Sequence, residues 1–133
     1  MIKLVSIALI GLAISTAAVA QTAARMNHSI SPNSTTVTNW YKQNVYDPKD
    51  SKIGEIADVL VDKSGRIDSL IVSVGGFLGA GEKDVSVPFD AIRVTNKNNN
   101  KWYLVMNATK DEMKEAPGFT YDKDSTSWMP DKK

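Results

Sequence analysis

The run Ile56-Ala57-Asp58-Val59-Leu60-Val61, the connector Asp62-Lys63-Ser64-Gly65-Arg66 and the run Ile67-Asp68-Ser69-Leu70-Ile71-Val72-Ser73-Val74 together decide the fold class. Both runs are rich in β-branched residues, which suit a pleated, half-buried surface better than a helix. In the connector Asp62 favours the start of a turn, and Gly65 can take positive φ at no steric cost, so the three pieces read as a β-hairpin. The second run has apolar Ile67, Leu70, Val72 and Val74, polar Asp68, Ser69 and Ser73, and an apolar pair at Leu70-Ile71. That mixture predicts a strand with one face in a core and the other partly covered.

Toward the C-terminus, Asp84 to Val87 and Ile92 to Thr95 read as two more short strands, with Pro88-Phe89-Asp90-Ala91 between them. Pro88 lacks a backbone donor, so the first of the two should stop there. Asn96 to Lys101 is a polar turn, and Trp102 to Met106 pairs back as a second hairpin. Thr109-Lys110-Asp111-Glu112 fits a capping box, in which the Thr hydroxyl and the Glu carboxylate reciprocally satisfy free backbone donors. A helix from Lys110 to Ala116 is expected, stopped by Pro117-Gly118. Short strands joined by tight turns, with one small helix, predict an all-β fold, a small β-barrel with one short C-terminal helix. Trp40, Tyr41, Tyr46, Phe89, Trp102 and Tyr103 are expected mostly to pack its interior.

Upstream of the hairpin the chain changes character. Lys3 precedes an apolar run from Leu4 to Ile14, and small residues lead to Ala18-Val19-Ala20. This is the three-part pattern of a secretory signal with cleavage after Ala20, and its apolar run is too short to cross a bilayer. The expected product is periplasmic or secreted and carries no transmembrane segment. It has no cysteine, and so neither a lipid on cysteine nor a disulfide. Residues 21–39 are rich in Thr, Ala, Ser and Asn and read as a flexible tether carrying the single histidine, His28. Residues 40–121 form the expected barrel. Residues 122–133 read as a polar tail, in which Trp128-Met129 suits a short apolar hook.

Of the 16 basic and 15 acidic side chains, only Lys3 lies in the leader, so the two signs balance once it is removed. Lysines alternate with aspartates and glutamates throughout, which argues against a nucleic-acid partner, since such partners select a basic face.

Three pieces of the sequence carry a resemblance. Ser51-Lys52-Ile53-Gly54-Glu55-Ile56-Ala57-Asp58-Val59-Leu60-Val61-Asp62 comes first, then Gly65 through Gly79, then Glu82-Lys83-Asp84-Val85-Ser86-Val87-Pro88-Phe89-Asp90-Ala91-Ile92. In this order and spacing, Val45 to Ala116 resembles a PRC-barrel domain. That family includes the extramembrane part of the photosynthetic reaction-centre H subunit and the C-terminal domain of a ribosome-maturation factor. The resemblance implies a role in assembly and protein contact. It brings no catalytic motif and no cofactor.

Gly75-Gly76-Phe77-Leu78-Gly79-Ala80-Gly81 has the glycine density of a phosphate loop, but Glu82-Lys83-Asp84 leads into a strand where a helix N-terminus would be needed. Phe77 and Leu78, with Glu82 and Lys83, are instead the candidate protein-contact loop, because aromatic anchors carry much of interface energy. Gly54, Gly65, Gly75, Gly76 and Gly79 are candidate turn glycines. No serine lies in a nucleophile elbow, and Glu82 and Asp84 lie in a turn with nothing to raise a carboxylate pKa, so a non-enzymatic protein is expected. The alternative function is binding of a small ligand or divalent cation at Asp58, Asp62 and Asp68. The expected partner is an unidentified protein, with self-association through strand edges as the other option.

Overall fold

The computed structural model describes residues 3, 8, 10–15, 17–77, 81–97 and 101–132. The chain divides into two units, Met1–Pro32 and Asn33–Lys133. In the first, every described residue is exposed and none lies in a helix or strand. Among the described residues, no helix is long and apolar enough to cross a membrane.

The second unit begins with a 3-10 turn at Val37–Asn39 that delivers Trp40 into the core. Eight strands follow: β1 (Asn44–Tyr46), β2 (Lys52–Val61), β3 (Ile67–Phe77), β4 (Gly81–Pro88), β5 (Ile92–Lys97), β6 (Lys101–Met106), β7 (Gly118–Asp122) and β8 (Ser127–Pro130). A 3-10 turn at Phe89–Ala91 joins β4 to β5, where Pro88 was expected to end the strand. One helix, α1 (Lys110–Glu115), precedes β7. Its capping box is present: Thr109 Oγ1 accepts from the Glu112 amide at 3.1 Å, and the Thr109 amide donates to Glu112 Oε2 at 2.7 Å.

All strands belong to one sheet in the order β5-β6-β1-β2-β3-β4-β7-β8. Every neighbouring pair is antiparallel except β1 and β6, which run parallel. Side chains from six strands meet in one apolar cluster: Val45, Ile53, Ile56, Leu70, Val72, Val74, Val85, Val87, Ile92, Leu104 and Met106, with Trp40 and with Met113 of α1. A sheet whose β4 and β5 residues share a core with β1 and β2 has to wrap around that core, which is the barrel arrangement expected from the short strands. Trp40 stands edge-on to Trp102 at 5.6 Å and tilted against Phe89 at 4.7 Å. Of the six aromatics expected inside, Tyr41 is exposed, and Tyr46 and Tyr103 stack on each other instead of joining this cluster.

The β2–β3 hairpin departs from plain alternation in a way that matters. Ile56 pairs with Val72, but the next pair is Asp58 with Ile71, so Ala57 is an extra residue in a bulge. Val72 and Ile71 lie on opposite faces of β3. The bulge therefore puts Asp58 on the face away from the core, while Ile56 and, beyond the bulge, Val59 face the core. Ile71 is nonetheless fully buried. The segment that reads as a polar tail reaches Asp58 on this face: β7 and β8 pair from Phe119 with Pro130 to Asp122 with Ser127, and Trp128 Nε1 donates to Asp58 Oδ2 at 2.8 Å. The folded part thus extends well past Tyr121, through Pro130.

Candidate functional site

The β3–β4 hairpin end owes its shape to β2. Pairing of β2 with β3 stops at Glu55 and Ser73, while β2 pairs with β1 from Asn44 with Glu55 through Val45 with Gly54 to Tyr46 with Lys52. β3 continues with β4 alone, through Val74 with Lys83 and, after a register shift, Phe77 with Gly81. Gly81 takes φ +70°, a conformation that side chains with a Cβ rarely adopt.

The charged residues of this hairpin are held in place. Ser73 Oγ donates to Glu82 Oε2 at 3.0 Å, and Gly75 lies under the Glu82 stem. Lys83 is not the solvated contact residue that the sequence suggests: it is half-buried, and its ammonium donates to the carbonyl oxygen of Lys114 in α1. Glu82 is exposed and lines two grooves, one of about 330 Å³ toward β2 and one of about 380 Å³ toward β7. The hairpin is therefore a ridge between two concavities. Of the other contact residues, Phe77 takes part through its backbone, while Leu78, Gly79 and the Phe77 side chain lie outside the described residues.

The candidate turn glycines divide by mechanism. Gly65 is a turn glycine with φ +85° and open space around it. Gly54 is not. It lies in β2, where a Cβ would come within 2.6 Å of Val72 Cγ1 and 2.8 Å of the Ser73 carbonyl oxygen. Gly75 and Gly76 are strand residues of β3. No turn calls for them.

Each of the three candidate cation-binding aspartates has its own task. Asp62 Oδ1 accepts from the amides of Ser64 and Arg66 and from Ser64 Oγ, which starts the turn and holds its carboxyl below the usual carboxylate value, the Ser64 hydroxyl contributing most. Asp68 accepts from Ser69 Oγ at 2.9 Å. Asp58 is half-buried and accepts from the Val59 amide with one oxygen and from Trp128 with the other. The three do not converge, and among the described residues no group of three or more His, Cys, Asp or Glu could hold a metal ion.

One polar cluster was not foreseen. Tyr46 of β1 stacks on Tyr103 of β6 at 4.4 Å, and Lys97 of β5 lies over the Tyr103 ring at 4.3 Å. Lys97 Nζ and Tyr103 OH both donate to Asp50 Oδ1, at 2.7 and 3.1 Å, clasping the β1–β2 turn to the β5–β6 hairpin. The only local hint is an aspartate near a turn. The Lys97 hydrogen bond, and then that of Tyr103, hold the Asp50 carboxyl below its usual value. The stability that Asp50 lends is therefore present above the ordinary carboxylate pKa and lost as pH falls through the depressed one. Tyr103 is pushed up to about 12, first by desolvation and then by the hydrogen bond and charge of Asp50. Its contribution is complete below the ordinary tyrosine pKa of about 10 and lost as pH rises through the raised value. An ultraviolet titration, assigned by difference against Tyr103→Phe, should show Tyr103 ionising near 12. Asp50→Asn should lower that midpoint while leaving it above the ordinary value, because the desolvation stays. An unmoved midpoint in Asp50→Asn would show that the carboxylate does not act on the phenol.

These features define a class first: a small wrapped β-sheet domain with one short helix that adds Met113 to its core. Within that class the chain belongs to the PRC-barrel domain family, which matches residues 33–113, more than half of its length. The match ends inside α1, so β7 and β8 lie beyond it. No curated protein matches the chain.

Proposed function

We propose that the chain is an exported, non-catalytic protein-interaction or assembly module of the cell envelope, with the β3–β4 hairpin end as its contact surface. The observation that carries this reading is the ridge itself. Glu82 stands exposed between two grooves, held by Ser73, while Lys83 ties the base of the hairpin to α1. A contact surface built on fixed side chains loses little conformational entropy on binding. The signal pattern ending at Ala20 supports export, and residues 21–39 would then serve as tether.

The test is a crosslinking pull-down from intact cells, comparing the wild-type mature protein with a Phe77→Ser, Leu78→Ser double variant of unchanged melting temperature. A specific partner captured by the wild type and lost in the variant supports the reading. Capture of nothing, or of the same partner by both, overturns the hairpin as contact surface. N-terminal sequencing of the protein from the envelope fraction should begin at Gln21, and a chain still beginning at Met1 would overturn the export reading.

A further inference from the structure

Where β2 leaves β3 to join β1, the sheet forks, and the fork holds the groove of about 330 Å³ that lies along one flank of the hairpin ridge. Its rim carries four charged side chains from three elements: Lys52 and Glu55 on β2, Glu82 on β4 and Lys110 on α1. Two are cations and two are anions, yet no ion pair joins any of them. The ion pairs among the described residues are Lys97 with Asp50 and Lys114 with Asp111. Opposite charges that line one concavity without neutralising each other leave both signs available to a ligand.

Gly54 and Gly75 both line the groove, Gly54 packed closely against β3 and Gly75 lying under the Glu82 stem. Glu82 is already oriented by Ser73 Oγ, which reduces the entropy lost when it accepts from a ligand cation. The volume lies at the small end of the range for ligand sites, about 300–1,000 Å³.

We infer that this fork is a binding site for a small zwitterion, an α-amino acid or dipeptide, whose ammonium is taken by Glu55 and Glu82 and whose carboxylate is taken by Lys52 and Lys110. The site shares Glu82 and this groove with the hairpin ridge, but it does not require that a protein partner binds there. Ligands of a single charge satisfy only half of the rim and leave the other pair unmatched.

The experiment is a two-dimensional amide NMR titration of the mature protein with L-alanine and L-alanyl-L-alanine. The controls are acetyl-alanyl-alanine, which lacks the ammonium, alanyl-alanine amide, which lacks the carboxylate, and the doubly blocked acetyl-alanyl-alanine amide. Saturable shifts at Gly54, Ser73 and Gly75 are expected with a zwitterion, with binding at least about tenfold weaker for each blocked charge, as charge-assisted hydrogen bonds are lost. Glu55→Gln and Lys110→Gln, which each remove one charge and leave the core untouched, should each weaken the zwitterion by a similar factor. Absence of saturable shifts at tens of millimolar, equal shifts from the doubly blocked peptide, or unchanged affinity in both variants would each overturn the site.

Discussion

Trp128→Ala is expected to lower the melting temperature by roughly 10–20 °C, although Trp128 lies outside the segment that matches the family. The substitution removes an aromatic ring that bonds to Asp58 on the face of the sheet away from the core, where Ile71, paired with Asp58, is fully buried. It also takes the indole donor from a half-buried carboxylate, which keeps only the Val59 amide. Loss of a large buried aromatic costs about 3–5 kcal/mol, and partial exposure of Trp128 brings this to roughly 2–3 kcal/mol. For a domain near 100 residues each 1 kcal/mol moves the midpoint by about 4–8 °C. Trp128→Phe separates the two contributions, because it keeps most of the ring and loses the hydrogen bond. It should fall between wild type and Trp128→Ala. Asp58→Ala combined with Trp128→Phe should then destabilise by less than the sum of the single changes, since both break the same bond. Full additivity in thermal melts would show that the two side chains do not interact.

Gly54→Val is expected to be the second large effect, and its contrast with Gly65→Val tests why each glycine is there. At Gly54 the new Cβ meets the Ser73 carbonyl oxygen at 2.8 Å, and that oxygen belongs to a strand already committed to β4. Overpacking of this kind costs about 1–3 kcal/mol, and the branched side chain puts it toward the upper end. At Gly65 nothing lies within 4 Å of a Cβ, so the cost is only that of a left-handed backbone, about 1–2 kcal/mol. Asparagine tolerates that conformation. Gly65→Asn should therefore recover most of the stability lost in Gly65→Val, whereas Gly54→Asn should melt as low as Gly54→Val. Recovery by asparagine at Gly54 would mean that β3 yields and the fork is looser than its packing implies.

Much of the scaffold is legible in the sequence because its causes are local. The β2–β3 hairpin follows from two β-branched runs and an Asp62–Gly65 turn, and that turn forms as expected, with Asp62 accepting from Ser64 and Arg66. The stop at Pro88, the hairpin ending at Met106 and the capping box of Thr109 with Glu112 each depend on residues within a few positions of one another. The candidate site was legible only in part. The glycine-dense stretch marks the β3–β4 hairpin, but the pinning of Lys83 to α1 joins residues 31 positions apart and has no local signature.

The sequence alone therefore settles the all-β class, the β2–β3 and β5–β6 hairpins, the short capped helix and the balance of charge, since propensity, turn chemistry and capping act over one turn or one strand. Tertiary structure decides what links distant positions. The bulge at Ala57 turns Asp58 away from the core, and Trp128 then bonds to it across 70 positions, making a strand of what reads as a tail. Gly54 is needed for the close approach of β3, and Asp50 joins Lys97 and Tyr103 across 47 and 53 positions. Such contacts depend on which strands pair and in what register, and in one sequence neither choice leaves a periodic trace.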